Sequence, residues 1–272
     1  MSDTTQETEA PTFGGQPLRD VPVPKVGLLR DDEFGAEVLS EYHDRVKADY
    51  DNNPALRIFK VSAGVVHGSN PFACCLIDKI VRPELRVATP VDVQAVLDAR
   101  SKYADAPNLR GYYKDVALAL RSIREPNGYL AERLNEQVGL KTPLPVVIFL
   151  SGLEVINDSD SPCGLSFALG ENSYLFTASI LTEQSGHFDN EQVDRNTGLP
   201  KSLGGSERYY YGTEEGLSRV YIGRGWSLDT IWDELANSQP DGRVVLVSNR
   251  VPVYKVRSHP AFSDTPSGPA GK

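Results

Sequence analysis

Apolar positions in the first half of the chain recur mostly at helical spacing. Phe34, Val38, Tyr42, Val46 and Tyr50 fall four residues apart, so 31–50 is expected to be a helix with one apolar stripe. Asp31 or Asp32 can cap its start, and Asn52-Asn53-Pro54 stops it. Leu56, Ile58 and Val61 suggest a short strand. The stretch 72–81 is apolar but without a deciding period, and helix and strand stay open there. Thr89-Pro90-Val91-Asp92 reads as a helix start, with Thr as cap, Pro at the first helical position and an acid at the third. Val93, Val96 and Leu97 give that helix a buried side. A further helix is expected over 111–124, with Tyr112, Val116, Ala119, Leu120 and Ile123 on one face, broken by Glu125-Pro126-Asn127-Gly128. The last of the group covers 129–138, with Leu130, Leu134 and Val138 inside and Gly139 at its end.

The second half changes character. A single apolar strand is expected over 146–155. A hairpin of 165–169 with 174–180 is expected around Gly170-Glu171-Asn172. The polar, Gly-rich stretch 182–209 is too long for a mere connection. A strand at 217–222, a short Ser227-capped helix to about 236 with Leu228, Ile231, Trp232 and Leu235 as its stripe, and a strand at 244–247 complete the pattern. Helices first and strands later imply an α+β fold with a mixed or antiparallel sheet and long irregular loops. The turn-rich stretches 1–30 and 257–272 are expected to be a flexible arm and tail around one domain, 31–256.

Charge removes several partner classes from this picture. The net charge is −9 and no clustered Lys/Arg run occurs, so no nucleic-acid partner is expected. No apolar run approaches the roughly 20 residues that cross a bilayer. The acidic start MSDTTQETEA has no basic region or apolar core of a signal peptide, so none is expected; a cytoplasmic or virion-associated location and export by another route all stay open. Cys74, Cys75 and Cys163 are odd in number and two are adjacent, a poor disulfide framework and a poor zinc knuckle. They read as small buried hydrophobes.

No residue set adds up to a catalytic centre, and no cofactor or metal is expected. His43, His67, His187 and His259 are scattered, and no G-x-S-x-G elbow occurs. Leu203-Gly204-Gly205-Ser206 lacks the ending of a phosphate loop, and Gly223-Arg224-Gly225 lacks the third glycine of a dinucleotide turn. Asn157, Asp158 and Asp160, and Asp189, Asn190, Glu191 and Asp194, offer oxygens that suit calcium. Neither cluster follows the twelve-residue loop, so both read as solvated turns. A competing reading makes the loop 182–209 an enzyme site around His187, Asp189 and Asp194.

What stands out instead is 221–241. It mixes two Trp, a Tyr and an Arg with small polar residues, the composition of binding surfaces. The candidate contact residues are Tyr221, Gly223, Arg224, Trp226, Asp229, Thr230, Ile231, Trp232, Asp233, Asn237, Gln239 and Asp241, facing an unknown protein or surface ligand. The bland reading is that Trp226 and Trp232 are core.

Three runs, NGYLAERLNEQVG, SGLEVINDSDSPCGLSFAL and TGLPKSLGGSERYYYGTEEGLSRVYIGRGWSLDTIWDELANSQPDGRVVLVSN, give 89–248 a resemblance to a known family. It resembles the variable proteins of archaeal and candidate-phylum diversity-generating retroelements. The resemblance implies a C-type-lectin-like fold and a display function, with a reverse transcriptase rewriting a C-terminal segment, about 217–247, through errors at adenines. The matching frame is Gly216-Leu217-Ser218-Arg219, Leu228, Leu235-Ala236 and Gly242-Arg243-Val244-Val245. Adenine errors in Asn codons reach Tyr, Ile, Gly, Arg, Asp, Thr and Ser, all present in 221–241, but not the Trp, Glu or Gln at 226, 232, 234 and 239. Two other readings stay open: a lectin-fold enzyme related to formylglycine-generating enzymes, and a virion or assembly component.

Overall fold

The computed structural model describes residues 26–98, 109–139, 145–213, 215–231 and 234–248. It also describes two short paired strands, β1 (Thr12–Phe13) and β2 (Gln16–Pro17). Local signals account for the helix boundaries. In α1 (Glu33–Asp49) the Asp32 carboxylate accepts from the Gly35 N–H at 2.9 Å. In α2 (Pro71–Val81) Asn70 caps in the same way, accepting from Ala73 N–H at 2.8 Å, and Pro71 occupies the first position. That start signal decides the ambiguous stretch 72–81 in favour of a helix. α3 (Pro90–Asp98) opens with Asp92 accepting from the Thr89 N–H at 2.7 Å. α4 (Gly128–Val138) ends at Gly139 in the left-handed conformation, its N–H returning to Asn135 O.

The expected helix at 111–124 is instead a central strand, β7 (Lys114–Leu120), and all seven of its residues are buried. Its neighbours are β8 (Val146–Phe149) and β14 (Leu217–Ile222), both antiparallel to it. Leu118 and Leu120 face one apolar layer with Ile148, while Ala117 and Ala119 face the other with Val147. A strand covered on both faces shows no polar alternation, so its apolar run imitates a helix stripe.

The first layer holds α1, α2, α4 and a separate antiparallel pair, β9 (Leu153–Asn157) with β10 (Leu165–Leu169). The expected single strand 146–155 is therefore two strands. They part at Gly152, where φ is +98° and a Cβ would meet Asn172 O at 2.2 Å. The expected hairpin of 165–169 with 174–180 is also replaced: β11 (Leu175–Thr177) pairs with β8, and a 3₁₀ turn follows at Ser179–Thr182.

The long polar stretch contributes β12 (Gly186–Phe188) and ends in β13 (Arg208–Tyr211). Together with β15 (Leu228–Asp229) these complete a seven-stranded sheet of order β11-β8-β7-β14-β15-β13-β12, parallel only between β13 and β15. A second sheet packs β16 (Val245–Ser248) between β3 (Val26–Leu28) and β6 (Leu85–Val87). The folded body thus takes in 26–30, which the sequence assigned to the arm. β16 supplies the hydrogen bonds those residues need, a partner far away in sequence. The strand expected near Leu56 and Ile58 is a turn; the strand begins at β4 (Lys60–Ser62), in a hairpin with β5 (Val65–His67). Among the described residues four α-helices and a curled seven-stranded sheet make the fold α+β.

Phe72 of α2 is fully buried and stacks on Phe167 of β10 at 4.1 Å between ring centroids. Phe72→Ala is expected to cost about 3–5 kcal/mol, the range for an aromatic truncated in a packed core. Urea unfolding followed by circular dichroism would measure it.

Candidate binding surface

The segment 221–241 leaves the sheet at the end of β14 and returns near β16. Among the described residues the Ser227-capped helix expected there is absent: Leu228 and Asp229 form β15, and the rest are turns, a bend or irregular backbone. Tertiary hydrogen bonds replace helical ones. Buried side chains from outside the segment, and from its two flanks, hold its backbone carbonyls one after another.

Lys114, fully buried at the start of β7, donates to Leu109 O at 2.7 Å, Tyr112 O at 2.6 Å and Gly223 O at 3.4 Å. Arg208 of β13 donates from Nε to Trp226 O at 2.8 Å and from Nη1 to Gln94 Oε1 at 2.6 Å. Arg121, just past β7, donates to Thr230 O at 2.9 Å, Leu181 O at 2.6 Å and Ser218 Oγ at 2.8 Å. The Asn70 amide that caps α2 with its oxygen donates from nitrogen to Ala236 O at 2.9 Å. Arg219 of β14 grips Asp115 with two bonds of 2.6 and 2.7 Å and reaches Asn237 O at 3.4 Å. Arg243 closes the set on Pro240 O at 3.4 Å and Gly242 O at 2.6 Å. Backbone pairs add Thr230 N–H to Tyr211 O at 2.8 Å and Gln239 N–H to Ser69 O at 2.9 Å.

The candidate residues divide by burial. Arg224, Ile231 and Asn237 are exposed, and Trp226, Gln239 and Asp241 are half-buried. Arg224 forms an ion pair with Asp241 and lies over the Tyr113 ring. Tyr221, Gly223, Asp229 and Thr230 are buried, so their side chains do not belong to an outward surface. The Tyr221 hydroxyl donates to Asp229 Oδ2 at 2.8 Å, and Ile231 N–H donates to Asp229 Oδ1 at 3.1 Å. Burial raises the Asp229 carboxyl above its ordinary range, against the pull of those two donors. Trp232 and Asp233 lie outside the described residues. Trp226 has φ +69°, its ring covers the Lys114 ammonium at 4.9 Å, and its buried indole N–H has no hydrogen-bond partner among the described residues.

A groove of about 980 Å³ opens beside 236–240. Sequence reasoning missed its other contributors, Arg57, Lys60 and Val61. Nothing local marks them, because a turn and a hairpin distant in sequence bring them to the segment. The loop carboxylates weighed for calcium or catalysis are engaged locally. Asp189 accepts from Ser206 and Glu207 N–H, and Asp194 accepts from Asn196 and Thr197 N–H. The His187 ring packs edge-on against Tyr209. Among the described residues no group of three or more His, Cys, Asp or Glu could hold a metal, and no helix is long and apolar enough to cross a membrane. No family model matches the chain, and no match is found among curated proteins or solved structures.

Burial pushes the Lys114 ammonium down to about 7 from its ordinary 10.5. Between those values the unfolded chain holds more protons at this site than the folded one, so this group makes stability rise with pH across that window. Cys74 and Cys75, whose thiols burial raises above 9, act in the opposite direction higher up. The expected result is that the stability difference between wild type and Lys114→Met shifts in favour of wild type as pH rises from about 7 to 9. Urea midpoints over that range would check it, and a constant difference would contradict the assignment.

Proposed function

We propose that this protein is a ligand-binding display protein of C-type-lectin-like architecture, whose segment within 217–247 is rewritten by a diversity-generating retroelement. The observation that carries this reading is who holds the segment. Its carbonyls at Gly223, Trp226, Thr230 and Ala236 are bonded by Lys114, Arg208, Arg121 and Asn70, none of which lies in the segment. An irregular backbone secured in this way keeps its path when its own outward side chains change.

The division into frame and contact residues gives further support. Gly216, Leu217, Ser218, Arg219, Leu228, Leu235, Gly242, Arg243, Val244 and Val245 are all buried, and Ala236 packs against the core. Between them stand the exposed Arg224, Ile231 and Asn237. A buried frame interrupted by outward positions is what a surface needs if its contacts are to vary while its fold does not. Tyr221, Asp229 and Thr230 are read as interior supports.

Two measurements test the reading. In the source genome, a near-copy of the coding stretch for 217–247, differing mainly at adenines and close to a reverse transcriptase gene, is expected; its absence would sink the retroelement part. On the protein, Arg224→Ala, Ile231→Ala and Asn237→Ala are each expected to change stability by no more than about 0.5 kcal/mol. Arg121→Ala is expected to cost about 2–4 kcal/mol, by removing a buried side chain that bonds Leu181 O, Ser218 Oγ and Thr230 O, the last of which also accepts from the Ser218 hydroxyl. Equal costs in urea unfolding would remove the separation of support from display.

A further inference from the structure

The groove beside 236–240 joins two kinds of lining. Asn237, Ser238 and Pro240 come from the segment read above as varied. Arg57, Lys60 and Val61 come from the turn after α1 and from β4, outside it. In a chain of net charge −9, no Asp or Glu among the described residues lines this groove, and the full charges they bring to it are Arg57 and Lys60. Both side chains are exposed, and neither forms an ion pair among the described residues. Two uncompensated cations on a carboxylate-free wall attract an anionic ligand.

The backbone beside those cations says what form the ligand takes. β4 and β5 are joined by Ala63 and Gly64, both at positive φ, so Ser62 and Val65 form the closing pair of a two-residue hairpin. Val61 is then a non-hydrogen-bonded position opposite Val66, and its N–H and C=O point away from β5. β5 is covered on its far side by the bridge from Arg30 to Val65, while β4 pairs with no second described strand. The Val61 side chain is 46% exposed. An open strand edge with cations alongside is a site for an extended chain adding as a further strand.

We propose that this groove binds an extended acidic segment of a partner protein. The segment aligns on the β4 edge, its carboxylates meet Arg57 and Lys60, and the residues 237–240 on the opposite side select among such segments. The second half of that statement rests on the display reading; the acidic anchor does not. An absent adenine template would remove the selecting role and leave the anchor standing.

The test uses the full chain and a fluorescein-labelled peptide of alternating Ser and Glu, about ten residues long, enough to span the groove at about 3.3 Å per residue. Fluorescence anisotropy is expected to show it binding at least about tenfold tighter than the Ser–Gln counterpart, and more weakly as salt is raised. Arg57→Glu combined with Lys60→Glu should abolish that preference and bind a Ser–Lys peptide at least about tenfold tighter than wild type does, with an unchanged circular dichroism spectrum excluding misfolding. Arg57→Gln with Lys60→Gln should weaken Glu-peptide binding without that gain for the Ser–Lys peptide. N-methylation of alternate peptide residues should weaken binding about tenfold or more, by blocking strand addition. The proposal is overturned by equal binding of Glu and Gln peptides, by retention of the preference in the double Glu variant, by indifference to N-methylation, or by equally tight binding of a thymidine oligonucleotide, which would reduce the site to unspecific anion attraction.

Discussion

Buried cations bonded to backbone carbonyls are the interaction on which the rest of this structure depends. Lys114, Arg121, Arg208 and Arg219 are each almost wholly enclosed, and only Arg219 has a carboxylate, Asp115, as its ion-pair partner among the described residues. Removing a charge from water costs several kcal/mol unless its donors are satisfied. Here the donors are shared between buried side-chain acceptors and the carbonyls of an irregular segment, among them Gly223, Trp226, Thr230 and Asn237. Each cation therefore serves two ends at once: it offsets its own desolvation, and it supplies donors to the buried acceptors of an irregular segment. Desolvation still shows in the lowered proton affinities of Lys114 and Arg208.

The central sheet makes that exchange possible. β7 places Lys114 and Asp115 at one end and Arg121 just past the other, and β14 places Ser218 and Arg219 beside them. β7 is apolar on both faces between its ends, and β14 encloses Ser218 and Arg219 within the strand, where their polar groups still reach Thr230 O, Asp115 and Asn237 O. The Arg219–Asp115 pair also takes in Ser69, whose hydroxyl donates to Asp115 Oδ2 at 2.5 Å and whose carbonyl accepts from Gln239 N–H. Sheet, α2 entry and surface segment are locked through one carboxylate. The polar stretch before β13 serves the same end, since Asp189 and Asp194 order the loop leading to Arg208.

Trp226 shows the tension that such a surface carries. It holds a left-handed backbone conformation that Gly or Asn adopts at less cost, and it buries an indole N–H that has no partner among the described residues. Its compensation is the stacking of its ring over Lys114. The strain at Trp226 is thus offset by a neighbour that the central sheet supplies.

Much of this was legible in the sequence. The spacing of Phe34, Val38, Tyr42 and Val46, the Thr89-Pro90 start and the Gly139 stop determined their helices, because a helix satisfies its own backbone and its signals lie within a turn or two. The α+β class followed from the order of elements. The segment 221–241 was legible as chemistry, through its aromatic and small polar residues. Its shape was not: Leu228, Ile231 and Leu235 keep helical spacing, but partners distant in the chain, from Asn70 to Arg208, hold the backbone in another path. The same holds for β7, whose helical appearance comes from apolar layers on both faces, and for Val26–Leu28, which becomes a strand only because β16 returns beside it. Tertiary structure alone decided these, since the donors, acceptors and apolar surfaces that complete them come from other elements, as far off as β16 is from Val26–Leu28, beyond the reach of any local pattern.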